Sequence, residues 1–353
     1  MINRPVTLIG DGVENPWNAR TMRDAADMFG TACIFRDHGR LAASWRETMA
    51  TTDGIPLVSR DDAARDFAPV IAFDNLDGAE SVYGFRLPIG ERPAVIVGNE
   101  RRGIAREMQS IASHAVQIPL VSRSLNSLNV AAASAVALYY LTQSGGKQPT
   151  YAEPYKRRPE LLIIGGSDHI ELGSAIRSAG AFGWQRVFVE DRDHVWFGAD
   201  RATRSEGRAA SRRARNPIRL IPTTWEEPFA FREVCVITRE RVGVPMRRAN
   251  LAAGHGQMIV LADESRVDTA REDWQRLGKT ISFVHVDVPS DAYTYHFRLL
   301  ATIALAEIAR QVGQAMRPRI GGTRRAGPRY DQSLTVLANE RGETVFLDDL
   351  EAY

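Results

Sequence analysis

Cysteine is scarce in this sequence. Cys33 and Cys235 are the only two among 353 residues, and they lie far apart in apolar stretches. A disulfide framework or a cysteine zinc site needs thiols at short, repeated spacing, so we predict two buried thiols instead. The seven histidines do not form a ligand pattern either. We therefore expect no metal.

Long hydrophobic runs are also missing. No apolar stretch approaches the length of a membrane span, and the N-terminal segment lacks the hydrophobic core of a signal peptide. We expect a cytoplasmic protein without a membrane partner. A net charge of +2 is nearly neutral. Any affinity for nucleic acid must therefore come from local patches.

Several common catalytic motifs are absent as well: the sequence has no Walker loop, no G-x-G-x-x-G fingerprint and no H-E-x-x-H. What it does contain is a series of short apolar strands, at residues 6–10, 31–35 and 69–73, alternating with helical or polar stretches. This alternation predicts a mainly parallel sheet with helices on both faces. The chain is long enough for two such domains.

Two segments of the first half have the strongest pattern, residues 93–104 and 116–141. Each begins as a buried strand and breaks into a loop before a helical run, which is where an open α/β sheet binds a ligand. The first loop has Gly98 and Gly103 for close backbone approach, with an amide and a carboxylate between them. In the second, Asn129 stands at the start of an alanine-rich helix predicted over 130–141.

These two segments, GNERRGI and then IPL with SLNV, resemble motifs 2 and 3 of the SpoU class of SPOUT methyltransferases. The resemblance implies a trefoil-knotted enzyme that methylates RNA ribose 2′-hydroxyls with S-adenosylmethionine. The alternative is ordinary βα turns of a nucleotide-binding fold. The implied donor-binding residues are Gly98, Asn99, Glu100, Gly103, Ile118, Leu120, Ser127 and Leu128.

Two departures from the family pattern bear on the substrate side of the pocket, so they weaken the prediction of the acceptor more than that of the donor. Ser122 stands where motif 3 usually has Gly, and the segment from Ile118 to Ser127 is one residue longer than usual.

The order of elements in the first half recurs in the second. Residues 18–30 correspond to 171–183 at an offset of 153, and later strands and helices follow in the same order. We predict two tandem SPOUT-like, mainly parallel sheets with trefoil knots, forming an intrachain pseudo-dimer. The alternative is chance similarity between two generic α/β halves. The predicted units are a methyltransferase domain (1–146), a linker (147–159), a second, partly degenerate domain (160–315) and a basic tail with a terminal hairpin (316–353).

The two halves retain different motifs. In the family, the arginine of motif 1 is usually given the catalytic role, and here it is Arg177 of the second half, whereas Asp24 replaces it in the first. We predict one composite site, with donor pocket and Asn129 from the first half and Arg177 from the second. Glu171, at the position of the motif 1 asparagine, would act as a carboxylate base or cap its helix. The alternative is degeneration, with Arg177 in a surface ion pair.

A basic segment at 201–219 is the candidate RNA contact, because seven arginines there face one acidic residue. Their spacing of three or four predicts a stripe along one helical face, suited to phosphates. The alternative is an ordinary solvated face. The predicted RNA-binding residues are Arg201, Arg204, Arg208, Arg212 and Arg215.

The resulting hypothesis is an S-adenosylmethionine-dependent RNA methyltransferase, acting on a ribose 2′-oxygen of tRNA or rRNA. The alternatives are a non-catalytic RNA-binding or assembly factor with the same fold, or a methyltransferase for another acceptor. A fused pseudo-dimer should be active as a monomer, although the sequence leaves further homodimerisation open. Among the histidines, His296 is singled out because it lies close to where SLN would fall in the second half.

Overall fold

A computed structural model provides the structure of the chain. It describes residues 6–50, 53–88, 92–99, 101–120, 128–142, 158–197, 218–226, 233–252, 257–290 and 293–313, with the backbone of two strands at 336–338 and 344–346.

The first sheet has six strands in the described part of the chain. They are β1 (Thr7–Asp11), β2 (Cys33–Arg36), β3 (Val70–Phe73), β4 (Glu80–Ser81), β5 (Ala94–Gly98) and β6 (His114–Gln117). Their order is β2-β1-β5-β3-β6-β4, and every pairing is parallel. β3 and β5 are buried along their whole length. Continuous apolar runs of this kind are typical of a parallel sheet covered on both faces.

The second sheet has nine strands. They are β7 (Glu160–Ile164), β8 (Arg186–Glu190), β9 (Arg219–Pro222), β10 (Glu233–Thr238), β11 (Val244–Pro245), β12 (Gln257–Ala262), β13 (Thr280–His285), β14 (Val336–Ala338) and β15 (Thr344–Phe346). Their order is β11-β13-β10-β12-β7-β8-β9-β14-β15, and only β14 and β15 pair antiparallel. The predicted α/β class with two mainly parallel sheets is confirmed. Read from β8, the order β8-β7-β12-β10-β13-β11 repeats the first sheet strand for strand.

The described helices are α1 (Pro16–Met28), α2 (Leu41–Met49), α3 (Arg60–Asp66), α4 (Arg106–Gln109), α5 (Val130–Leu141), α6 (His169–Ala181), α7 (Glu264–Arg276) and α8 (Phe297–Gln311). The prediction for α5 is confirmed at both ends. α1 begins at Pro16, because Asn15 caps it and Pro16 fits the first helical position. The segment between β2 and β3 contains α2 and α3.

The two halves are joined by packing of α5 against α8, while α1 packs on α5 and α6 packs on α8. Both central helices are buried along most of their length. Their many alanines let the helix axes approach closely, and each large apolar side chain buried here contributes about 1.5–3 kcal/mol. A single core cluster includes residues of both halves, such as Tyr139 and Leu300. The two halves are therefore one packed body.

No helix among the described residues is both long and apolar enough to cross a membrane. In the same ranges, no group of three or more histidine, cysteine or acidic side chains is arranged to hold a metal ion. Cys33 is half-buried in β2 and Cys235 is buried in β10, and both are free thiols. Burial raises the pKa of Cys235 to about 11, so its thiol is a poor nucleophile at neutral pH.

Candidate active site

A tight loop follows β5 at the carboxyl edge of the first sheet. The backbone of Asn99 pairs with that of Gly103 in both directions, at N to O distances of 3.2 and 2.8 Å. A Cβ at Gly98 would lie 2.2 Å from both the Gly103 carbonyl carbon and the Ile104 nitrogen. Gly103 has a φ of +69°, which side chains rarely adopt. Both glycines are therefore required by the loop itself.

The side chain of Asn99 holds this loop together. Its Oδ1 accepts hydrogen bonds from the backbone NH groups of Arg101 and Arg102 at 2.9 and 3.2 Å. Its Nδ2 donates to the carbonyl oxygen of Gly12 at 2.7 Å. Asn99 is buried. Its amide thus links the loop to the end of β1.

Two carboxylates anchor the far side of the loop. Asp11, at the end of β1, accepts a hydrogen bond from the Ala105 NH at 2.7 Å, and Asp74, just after β3, accepts one from the Ile104 NH at 3.2 Å. Because β1 and β3 flank β5, the loop is held from both neighbouring strands. Neither aspartate was predicted as a site residue, although a carboxylate at the end of a buried strand was the available signal.

Asn129 caps the N-terminus of α5 as its position predicts. Its Oδ1 accepts from the NH groups of Ala131 and Ala132 at 3.0 and 3.4 Å, and its Nδ2 donates to the Asn18 Oδ1 at 3.0 Å. The Leu128 side chain, before it, is buried in the core. Asn129 therefore connects α5 to α1.

The predicted donor-binding residues that the structure describes lie at one edge of the first sheet. Gly98, Asn99 and Gly103 follow β5, while Ile118 and Leu120 follow β6 and pack partly buried against the same core as Leu128. Seven further predicted site residues lie outside the described residues, and their roles stay predictions. They are Glu100, Ser127, Arg201, Arg204, Arg208, Arg212 and Arg215.

The second half has a different set of side chains at the equivalent positions. α1 and α6 correspond residue for residue at an offset of 153, each with a capping side chain directly before it. Asn18 therefore corresponds to Glu171, and the cap residue of α5, Asn129, corresponds to His296 before α8. His296 Nδ1 lies 3.2 Å from Glu171 Oε1, so the same two positions are in contact in both halves.

In the second half this pair is part of a larger charged group, here called the inter-half cluster: Thr21, Asp24, Glu171, His296 and Arg298. Asp24 Oδ2 of α1 lies 2.8 Å from His296 Nε2. Glu171 Oε2 accepts from the Arg298 NH at 2.7 Å, and the Arg298 guanidinium donates to Thr21 Oγ1. The cluster therefore ties α1 of one half to α6 and α8 of the other.

The charges of the inter-half cluster favour a protonated imidazole. Burial alone would lower the pKa of His296, but hydrogen bonds to Asp24 and Glu171 outweigh it and raise the pKa to about 9. His296 is therefore a cation at neutral pH. With Arg298 it balances the two carboxylates, which makes burial of all four groups tolerable.

The structure corrects one interpretation of Glu171. The cap of α6 is Asp168, whose Oδ1 accepts from the NH groups of Ile170 and Glu171 at 2.7 and 3.1 Å. Glu171 is not the cap, because its carboxylate turns toward α8 instead. Both of its oxygens are occupied by His296 and Arg298. A carboxylate held by two cationic side chains is poorly placed to act as a free base.

Arg177 is 5% exposed, which excludes the surface ion pair considered above. It lies on α6 at the position that corresponds to Asp24 on α1. Burying a guanidinium is costly unless its donors are satisfied, so a buried arginine at this position indicates a specific role inside the packed helices.

The tight loop after β5 and the capped N-terminus of α5 belong to the half of the chain that forms the first parallel sheet. Open α/β sheets bind ligands at the carboxyl ends of their strands. Residues 5–139 match the model of the SpoU rRNA Methylase family. The resemblance predicted from the two motifs is therefore confirmed for this part of the chain.

Solved structures with similarity to the chain include the SpoU methyltransferase AviRb from Streptomyces viridochromogenes in complex with AdoMet. It is 20% identical over 40% of this chain and 57% of its own, with a TM-score of 0.33. The AdoMet-bound rRNA methyltransferase from Sinorhizobium meliloti is 23% identical over 40% and 57%, with a TM-score of 0.33. A structure described for 2-OH methylation of C/U34 on tRNA is 26% identical over 39% and 93%, with a TM-score of 0.32.

The chain thus spans 57% of the length of each of the two AdoMet-bound relatives. No curated protein matches the sequence.

Proposed function

We propose that the protein is an S-adenosylmethionine-dependent methyltransferase that modifies a ribose 2′-oxygen of tRNA or rRNA. The observation that carries this proposal is the match of residues 5–139 to the SpoU family together with an intact loop at Gly98 and Gly103. The AdoMet-bound state of two similar proteins supports the same donor here.

We further propose one composite site, formed by the first-half edge and Arg177. The contact between Asp24 and His296 supports it, because Asp24 of α1 reaches the cap position of the helix in the other half. The four helices are arranged symmetrically: α1 packs on α5 as α6 packs on α8, and α5 and α8 pack on each other. The same relation would bring Arg177 of α6 to the cap position of α5, which is Asn129.

The residues at this edge fit the donor. Half-buried Ile118 and Leu120 offer apolar surface for an adenine ring, and the loop backbones offer NH and carbonyl groups for its polar edge. The donor supplies an activated sulfonium methyl group. In-line transfer then depends mainly on holding the acceptor oxygen at near-attack distance. Arg177, always protonated, would orient the 2′-hydroxyl and stabilise the developing negative charge on its oxygen.

Calorimetry of the full chain with S-adenosylmethionine tests the donor site. We expect one donor per chain, and loss of binding in Gly98→Val, because a side chain there overlaps the loop backbone. Gly54→Ala is the matched control, since nothing lies within 4 Å of a Cβ at that position. Absence of donor binding by the wild-type chain would contradict the proposal.

Incubation with labelled donor and total RNA, followed by nucleoside analysis, tests the reaction. We expect label in 2′-O-methylated nucleosides. Label in a methylated base would keep the enzyme and replace the acceptor. Donor binding without any RNA label, together with RNA binding, would favour the non-catalytic alternative.

Light scattering tests the oligomeric state. Because α5 and α8 already join the halves within one chain, we expect the active protein to be a monomer.

A further inference from the structure

Trp17 differs from the other five tryptophans of the chain. Trp45, Trp184, Trp196, Trp225 and Trp274 are at most 4% exposed, whereas Trp17 is 56% exposed. An indole is the largest apolar side chain, and placing it in water forgoes a substantial gain from burial. Exposed tryptophans are characteristic of surfaces that bind a partner.

The backbone of Trp17 is rigidly placed beside the candidate active site. It is the second residue of α1, and its NH donates to the capping Asn15 Oδ1 at 2.9 Å. Its carbonyl oxygen accepts from Thr21 Oγ1 at 2.9 Å. The next residue, Asn18, receives the amide of Asn129. The indole is therefore presented from a fixed helix turn at the rim of the site.

The surroundings of Trp17 are basic. Arg20 is exposed one turn further along α1. Glu14, three residues before Trp17, pairs with both Arg102 and Arg40. Arg20, Arg40 and Arg102 outnumber the carboxylate of Glu14, which leaves an excess of positive charge around the ring. Such an excess favours a partner that carries phosphates.

The equivalent position of the second half lacks these features. Ile170 occupies the place of Trp17 on α6 and is also exposed, at 42%. Gly173 stands where α1 has Arg20, and Glu171 follows Ile170 directly. At these equivalent, described positions, the aromatic ring and the exposed arginine thus lie on the half that holds the proposed donor site.

We propose that the Trp17 indole is a stacking platform for an unpaired nucleobase of the RNA substrate, with Arg20 beside it for the adjoining phosphate. Proteins that bind single-stranded RNA stack splayed bases on aromatic side chains and hold the backbone with cations. Stacking on a ring at the rim of the site would determine which nucleotide is presented to Arg177. This inference rests on the function proposed above.

Intrinsic fluorescence of the full chain isolates this ring, because iodide reaches exposed indoles and the other five are buried. We expect a short single-stranded RNA of mixed sequence to quench the iodide-accessible component and to protect it from iodide. The RNA-dependent change should be absent in Trp17→Phe. RNA affinity should fall about 5- to 100-fold in Trp17→Ala and less in Trp17→Phe, since stacking on an aromatic ring is what is lost.

Ile170→Ala is the matched control and should leave RNA affinity unchanged. Inorganic polyphosphate tests charge without bases, and it should compete for the arginines without quenching the fluorescence of Trp17 when no iodide is present. Equal RNA affinity in Trp17→Ala and wild type, or equal quenching by polyphosphate without iodide, would overturn the platform. RNA-dependent quenching without any methyl transfer would leave the platform standing and remove the proposed enzyme. Methylation of RNA without any RNA-dependent change in Trp17 fluorescence would support the enzyme and overturn the platform.

Discussion

The first-half pair Asn18 and Asn129 and the second-half pair Glu171 and His296 occupy equivalent positions with opposite chemistry. In the first half, two neutral amides connect α5 to α1 and leave the edge of the sheet without buried charge at this contact. In the second half, a carboxylate and an imidazolium meet there, joined by Asp24 from the opposite half. The same backbone arrangement thus supports a contact between neutral amides in one half and a contact between charged side chains in the other.

This difference indicates that the two equivalent edges have different roles. Four charged groups meet in the inter-half cluster, where Asp24 and Glu171 lie against His296 and Arg298. We expect that edge to fix the halves relative to each other, while the first-half edge binds the donor. Each prediction below tests one side of this comparison.

The largest effect is expected from Arg177→Ala. Loss of a charge that stabilises the developing oxyanion should lower kcat about 10²- to 10³-fold, with donor affinity in calorimetry unchanged. Arg177→Lys restores the charge without the planar fork and should remain impaired. Arg276→Ala, on exposed α7, is the control. A rate near wild type in Arg177→Ala would show that the site is not composite.

Removal of one partner from the inter-half cluster should mainly affect stability. Asp24→Ala leaves a buried imidazolium without its closest carboxylate, and we expect the free energy of unfolding in urea to fall by about 3 kcal/mol. Glu272→Ala, at an exposed position of α7, is the control. The double variant with His296→Asn should be less destabilised than the sum of the two single variants, because the partners are coupled. Additive losses would argue against the cluster.

The raised pKa of His296 gives the cluster a defined pH dependence. A group whose pKa is higher in the folded state stabilises fully below its unfolded pKa, and this contribution is lost as pH rises through the folded value. Since the folded pKa is about 9, stability from His296 should decline between about pH 6.5 and about pH 10. The groups facing the ring are Asp24, Glu171 and Arg298. Urea unfolding across this range should show the decline in the wild type but not in His296→Asn.

The smallest effect is expected from Asn129→Ala. Loss of the cap of α5 should lower the free energy of unfolding by about 1 kcal/mol, and Asn129→Ser should retain most of it. Thermal unfolding measures both. If Asn129 also contacts the acceptor, Asn129→Ser should lower kcat by more than its small change in stability explains. An unchanged kcat would limit Asn129 to capping and to its contact with Asn18.

Much of the fold could be predicted from local patterns. α5 was predicted with both ends correct because its alanine run is bounded by an asparagine cap and a change to polar residues. α2 and α3 were missed because both are short and mostly exposed, so they lack a strong apolar period. The strand of the second motif was placed at 116–120, whereas β6 is His114–Gln117, because apolar residues continue past the point where pairing ends.

The sequence alone was sufficient for the family resemblance, the position of the loop after β5 and the offset of 153 between α1 and α6, because each depends on short runs of neighbouring residues. The contact of Asp24 with His296 joins residues 272 apart, and no local pattern predicts it. Which distant charges meet depends on how α1, α6 and α8 pack, and that packing is set by the summed burial of apolar side chains throughout the chain. The structure therefore shows that Arg177 is buried and that Asp24, Glu171, His296 and Arg298 meet in the inter-half cluster.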